Sequence, residues 1–162
     1  MALALCYTPT INRIGGVFNL KYNRTNKRPI HIGDVYMMQF GGSGSEQGGL
    51  RPGVVFQNNI GNAYSPNVIA LPMTSVLKKV NQPTHALIRA KDSGLKLDSM
   101  VLCENPERMS KDRIGNYITT LPDHYMQKIA AANLLATSAI AFLDVETLLA
   151  IREKASQLNA AF

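Results

Sequence analysis

From Gly33 onward the chain runs as short apolar segments separated by turn-forming residues. GDVYMMQF (33–40), GVVFQNN (53–59), NVIALPM (67–73), HALIRA (85–90), SMVLC (99–103) and GNYITT (115–120) are rich in Val, Ile, Tyr, Phe and Met and bounded by Gly, Pro, Asn, Asp or Ser. That spacing predicts β-strands joined by polar turns, in a small barrel or sandwich. After residue 121 the period changes. Pro122 and Asp123 stand at a helix start, and Tyr125, Met126, Ile129, Ala130 and Leu134 fall near one stripe, so this helix should pack on the sheet. A second helix is predicted from an Asp144 N-cap through Leu158, with Val145, Leu148, Leu149, Ala155 and Leu158 roughly on one face. Residues 1–32 show no sustained apolar period and read as a weakly ordered basic leader carrying Lys21, Arg24, Lys27 and Arg28.

Composition narrows the picture. At 162 residues, 46% hydrophobic and 17% charged, the chain can bury one core and is unlike a disordered protein. No stretch approaches the ~18 apolar residues of a membrane span, and MALALCYTP does not have the form of a signal peptide, so a cytoplasmic protein is expected. Cys6 and Cys103 are far apart in sequence and have no CxxC spacing, which suggests ordinary reduced thiols. The formal net charge of +6 is unevenly spread. Basic residues outnumber acidic ones five to one across 1–40 and six to three across 41–103, but fall six to seven across 104–162. A field of that sign favours an anionic partner, nucleic acid first and an acidic protein segment second.

Candidate chemistry gathers around GGSGSEQGGLRP (41–52), whose glycines permit a mobile loop or lid. It is not a phosphate loop, because no Lys-Ser or Lys-Thr follows the glycines. Nor is it a dinucleotide turn, because Arg51-Pro52 leads into a strand and not a helix. Arg51 has its backbone biased to the extended region by Pro52 and a guanidinium suited to a bidentate grip on phosphate, although a surface arginine would read the same way. Thr74 closes the third apolar run. With a two-residue period it faces away from Ile69, Leu71 and Met73, and if those face the core its hydroxyl faces out. His31, His85 and His124 are scattered, with His85 alone placed to touch a ligand. Carboxylates before residue 104 are too sparse for a two-magnesium site, which disfavours a metal-dependent nuclease.

Taken together, SEQGGLRPGVVFQNNIGNAYSPNVIALPMTS (45–75) resembles the corresponding stretch of the MazF/PemK family of toxin endoribonucleases. The likeness begins at GDVYMMQF and continues less closely through PTHALI (83–88), GLKLDSMVLCEN (94–105), SKDRIG (110–115) and LPDHYMQKI (121–129), covering about residues 33–136. It implies a toxin domain at 33–136, between the leader (1–32) and a helical extension (137–162). The implied fold is mainly β with C-terminal helices, an SH3-like small barrel of the MazF/PemK/CcdB type. The implied activity is cleavage of single-stranded RNA, often mRNA, by a homodimer without a metal or other cofactor, neutralised by a cognate antitoxin protein. Carried over by motif, Arg51 and Thr74 are the catalytic residues, with Glu46 beside them. Gln47, Asn58, Ser75, Glu104 and Asn105 fall at or near positions that surround the RNA, and His85 joins them as an RNA contact.

Cleavage through the ribose 2′-hydroxyl suits this set, because the nucleophile belongs to the substrate and the protein has to align it, stabilise phosphorane charge and move two protons. Arginine is a poor general base, so Glu46 or an ordered water is expected to take the 2′-hydroxyl proton while Arg51 stabilises or donates. The products would be a 2′,3′-cyclic phosphate and a 5′-hydroxyl. Where relatives read E-Q-[IV]-R-T-I, this chain has Glu104-Asn105-Pro106-Glu107-Arg108-Met109, with the arginine displaced and an acid in its place, so base recognition is expected to differ. The leader is read as added phosphate contacts or disorder, the tail helix as a dimer extension or a cap on the core. The alternative is a non-catalytic module of the same fold that binds a protein target or antitoxin. The glycine-rich loop adds the expectation of a lid ordered by RNA and displaced by an antitoxin peptide.

Overall fold

The computed structural model describes residues 28–41 and 48–160. Seven antiparallel strands, β1 (Asp34–Phe40), β2 (Gly49–Val55), β3 (Asn67–Thr74), β4 (His85–Ile88), β5 (Ser99–Leu102), β6 (Glu107–Ser110) and β7 (Ile114–Thr120), form one sheet in the order β4-β5-β3-β2-β1-β7, with β6 also paired to β3. Among the described residues four α-helices interrupt or follow them: α1 (Asn59–Tyr64), α2 (Ala90–Ser93), α3 (Asp123–Thr137) and α4 (Val145–Ala160). The class expected from the sequence holds, but the sheet path is open: β4 and β7 end it without pairing to each other.

Strand alternation divides the buried side chains between two clusters. Val35 of β1, Val54 of β2, and Leu71 and Met73 of β3 join Ile88, Val101 and Cys103 under Leu121, Tyr125, Ile129 and Ala132, the last three from α3. Tyr36, Met38, Phe40, Val55, Val68 and Ala70 point the other way and meet Met109, Ile114 and Ile30. Each large side chain buried in this way contributes about 1.5–3 kcal/mol, so both faces of the central strands carry stability. Ile69 has the same parity as Leu71 and Met73 but is 38% exposed, because the cluster ends before it. The buried stripe of α3 is Tyr125, Ile129 and Ala132, with Met126 packed alongside. Ala130 and Leu134, expected on that stripe, are only half-buried.

Several boundaries differ from the pattern. The second strand lies at Gly49–Val55 and not 53–59, since the polar run that follows turns into α1, where the Asn58 side chain accepts from Gly61 N at 2.8 Å. Pro52 is tolerated because β2 pairs there with Met37 of β1, while pairing with β3 starts at Gly53. β6 shows little alternation by itself, with Met109 its one buried residue, and it exists because it pairs with β3 from Asn67 to Ala70.

Residues 28–32, assigned to the leader from the sequence, are held by the sheet. Ile30 is in the second cluster, Ile32 N donates to Asn59 Oδ1 at 2.8 Å, and Arg28 Nη2 reaches Asp34 Oδ1 at 3.2 Å. Asp34 is fully buried, and its carboxylate also accepts from His31 N, the Tyr36 hydroxyl and the Thr120 hydroxyl, the arrangement a buried charge requires. The expected leader before residue 28 lies outside the described residues. The tail helix forms as α4, but none of its described side chains enters either cluster. It rests against α1, so it does not cap the core. No helix among the described residues is long and apolar enough to cross a membrane.

Candidate active site

The register of β2 against β3 places the two leading candidates. Gly53 pairs with Pro72 and Val54 with Leu71, so the same antiparallel count carried one way sets Arg51 across from Thr74, just past the point where the two strands stop pairing. Beyond that point each turns to another neighbour, Arg51 opposite Met38 of β1 and Thr74 opposite Met100 of β5. Both line a cleft of about 590 Å³ together with His85, Glu104, Asn105, Lys78, Lys79 and Gln82.

Each side chain has a local reason for its place. Arg51 is half-buried, and its Nη2 donates to the Gly48 carbonyl at 2.6 Å, which ties the guanidinium to the end of the glycine-rich segment. Thr74 Oγ1 accepts from Val76 N at 3.1 Å, a turn that orients the hydroxyl while leaving its proton for another acceptor. Glu104 and Asn105 occupy the corner where the chain leaves β5 and returns as β6, closed by Asn105 N donating to Leu102 O at 3.2 Å. His85, the first residue of β4, has only 8% of its side chain exposed. Its Nε2 lies 3.0 Å from Glu104 Oε1 and its Nδ1 3.2 Å from the Lys79 carbonyl. Nδ1–H donating to that carbonyl turns Nε2 to the carboxyl group, so the second contact requires a proton shared between ring and carboxyl.

Of the residues singled out from the sequence, the fold thus brings Arg51, Thr74, His85, Glu104 and Asn105 together. Asn58 is elsewhere, its side chain engaged in capping α1. Ser75 follows Thr74 and is exposed, but it is not part of the cleft wall. Glu46 and Gln47 lie outside the described residues, as does the 42–47 part of the lid expected over 41–50, while Gly49 and Leu50 at its end already belong to β2. Lys78, Lys79 and Gln82 were not singled out. The signal for them was a lysine pair in the polar linker between two strands, but adjacency to a cleft is invisible in a linker, and Lys79 also takes a left-handed backbone (φ 54°) that turns its carbonyl to His85.

A second hollow, of about 300 Å³, lies on the other side of the Glu104–Asn105 corner and is walled by Phe40, Gly41, Pro72, Pro106 and Glu107. Glu107, the acid that departs from the expected pattern, accepts from Gly41 N at 3.1 Å and pairs with Arg113 Nη2 at 2.8 Å, so it has a structural task at the end of β1. Burial, helped by the charge of Glu104, pushes the Cys103 thiol up to about 12, which makes it a packing residue and not a nucleophile. With three cations against one carboxylate among the described residues of its wall, the first cleft attracts anions. Its arginine fork and hydroxyl can hold two oxygens of one phosphate.

The chain resembles known proteins in sequence and in fold. Endoribonuclease EndoA of Bacillus subtilis (strain 168) is 40% identical over 114 residues, 70% of this chain and 98% of that protein. The structure of an endoribonuclease in complex with its cognate antitoxin from Mycobacterial species matches with a TM-score of 0.55 at 25% identity, covering 67% of this chain and 95% of that one. MazF from Deinococcus radiodurans shares the fold with a TM-score of 0.60 at 19% identity, covering 68% of this chain and 98% of that one. The model of the PemK-like, MazF-like toxins of type II toxin–antitoxin systems matches residues 31–135, and the chain belongs to that family.

Proposed function

We propose that this toxin is an endoribonuclease that cuts single-stranded RNA, mRNA included, at short sequence motifs by attack of the 2′-hydroxyl on the adjacent phosphorus. The observation that carries the reading is that Arg51 and Thr74, from two different strands, line one cationic cleft. A bound phosphate there would set one non-bridging oxygen against the Arg51 guanidinium and another against the Thr74 hydroxyl. Both interactions strengthen as charge builds on the phosphorane, and this is what lowers the barrier. The 2′-hydroxyl is an internal nucleophile, so alignment replaces the activation that a free water would need from a metal. Glu46 or an ordered water is the proposed acceptor of the 2′-hydroxyl proton, and the departing 5′-oxygen, faced by Arg51, takes up a proton from Arg51 or from water. The products are a 2′,3′-cyclic phosphate and a 5′-hydroxyl.

The same proposal includes a homodimer in the cytoplasm, held inactive by a cognate antitoxin whose acidic or amphipathic segment covers the cationic cleft. The named relatives, an endoribonuclease and an endoribonuclease solved with its antitoxin, support it. The deciding experiment incubates the full chain with a long mixed-sequence RNA in EDTA beside Arg51→Ala and Thr74→Ala, and maps cut sites and end groups. Discrete cuts with cyclic phosphate ends, reduced at least ~100-fold in both variants, are expected. Absence of cleavage by folded wild-type protein would shift the reading to a module that binds without cutting.

A further inference from the structure

The Glu104 carboxylate is held by one end only. Oε1 faces His85 Nε2 at 3.0 Å, and His85 is in turn fixed through Nδ1 to the Lys79 carbonyl. Oε2 is shielded from solvent and has no hydrogen-bond donor among the described residues. A sheltered carboxylate oxygen without a donor is expensive, and natural sites that keep one have a use for it. Glu104 stands at the corner between the two hollows, in the wall of both, within the cleft that holds Arg51 and Thr74.

We infer that Glu104 is a specificity-determining residue that reads the exocyclic amino group of a cytosine or adenine next to the phosphate held by Arg51 and Thr74, with His85 as the positioning residue that aims it. The inference deepens the proposed endoribonuclease reading and rests on it. The terminal torsion of a glutamate is broad, so a small turn brings Oε2 to face a base while Oε1 keeps its partner. Cytosine N4 and adenine N6 each offer an amino donor that one oxygen can accept. Uracil presents its single N–H between two carbonyl oxygens, which a carboxylate repels. Guanine offers adjacent N1–H and N2–H donors that call for both oxygens, and His85 already holds one. The Asn105 amide beside it can donate or accept and adds no such bias.

The test measures binding of short RNAs that are identical except for A, C, G or U at one position, with 2′-O-methyl groups to block cleavage, to the full chain and to Glu104→Gln. The position varied is scanned along the RNA. The isosteric amide can donate as well as accept, so it removes the bias against uracil without altering the packing. At one position the wild type should bind A or C about 10-fold more tightly than U, and the variant should bring the ratio within about 2-fold while preferences at other positions stay. An unchanged ratio in the variant, or no A or C preference at any position, overturns the inference. Failure to bind any of the RNAs overturns both it and the endoribonuclease reading. Discrimination lost in Glu104→Gln, with unblocked RNAs left uncut by the wild type, would refute cleavage and leave the base-reading role standing.

Discussion

At Gly53, a Cβ would lie 2.6 Å from Phe40 Cζ and 2.9 Å from Met38 Sδ, and both of those side chains are fully packed in the second cluster. Neither can retreat without opening the face of β1. Gly53→Ala is therefore expected to cost about 1–3 kcal/mol, seen as a lower urea midpoint with an unaltered slope. A midpoint equal to wild type would show that Phe40 has room to move. From the sequence, Gly53 was only a strand boundary. Its role comes from the neighbouring strand, where Gly53 pairs with Tyr36 and the side chains of Met38 and Phe40, further along β1, close over it. Asn58 makes the converse point. Resemblance placed it near RNA, yet its side-chain oxygen is used three residues along its own backbone, on Gly61 N. Local hydrogen bonding by asparagine competes with any longer reach, and only coordinates reveal which has won.

Among the elements, α4 depends most on local chemistry. It makes little tertiary contact, so its first turn relies on Asp144, whose Oδ1 accepts from Thr147 N at 2.7 Å. That backbone bond, and then the Thr147 hydroxyl, hold the Asp144 carboxyl below its ordinary value of 3.8. A depressed carboxyl stabilises the folded form above the ordinary value, and the contribution is lost as pH falls through the depressed one. Asp144→Ala should accordingly speed hydrogen exchange at the amides of 147–150 at neutral pH, with α3 unaffected. Equal rates would mean that packing against α1, and not the cap, starts the helix. Asp144 could be read from sequence because a cap is a contact within three residues. β6 could not. Four residues with one buried side chain become a strand only because the outer edge of β3 offers Asn67–Ala70 as a ladder.

For the molecule as a whole, the two clusters draw, among the described residues, on those from Ile30 to Ala132 and on none beyond. A chain ending at Thr137 should keep cooperative unfolding, with a thermal midpoint within about 4 °C of the full chain, equivalent to ~1 kcal/mol for this size. It should also keep the proposed cleavage. Loss of either would assign α4 a part in holding the assembly together. The leading edge is less expendable, since Arg28, Ile30 and Ile32 tie the chain to Asp34, the second cluster and Asn59.

What could be read along the chain is what short-range physics controls: the places of most strands, the two long helices and the Asp144 cap, the basic balance, and motif residues such as Arg51 and Thr74. Alternation, capping and turn chemistry act over a few residues and leave their mark in order. The cleft is of another kind. Arg51 meets Thr74 because of a register between β2 and β3, Glu104 meets His85 because β4 and β5 pair, and the Lys79 carbonyl meets His85 through a left-handed turn in a linker. These contacts join residues up to 23 positions apart through hydrogen bonds the backbone makes elsewhere. A single-residue slip in either ladder would turn every such side chain to the opposite face, so only the tertiary structure could decide them.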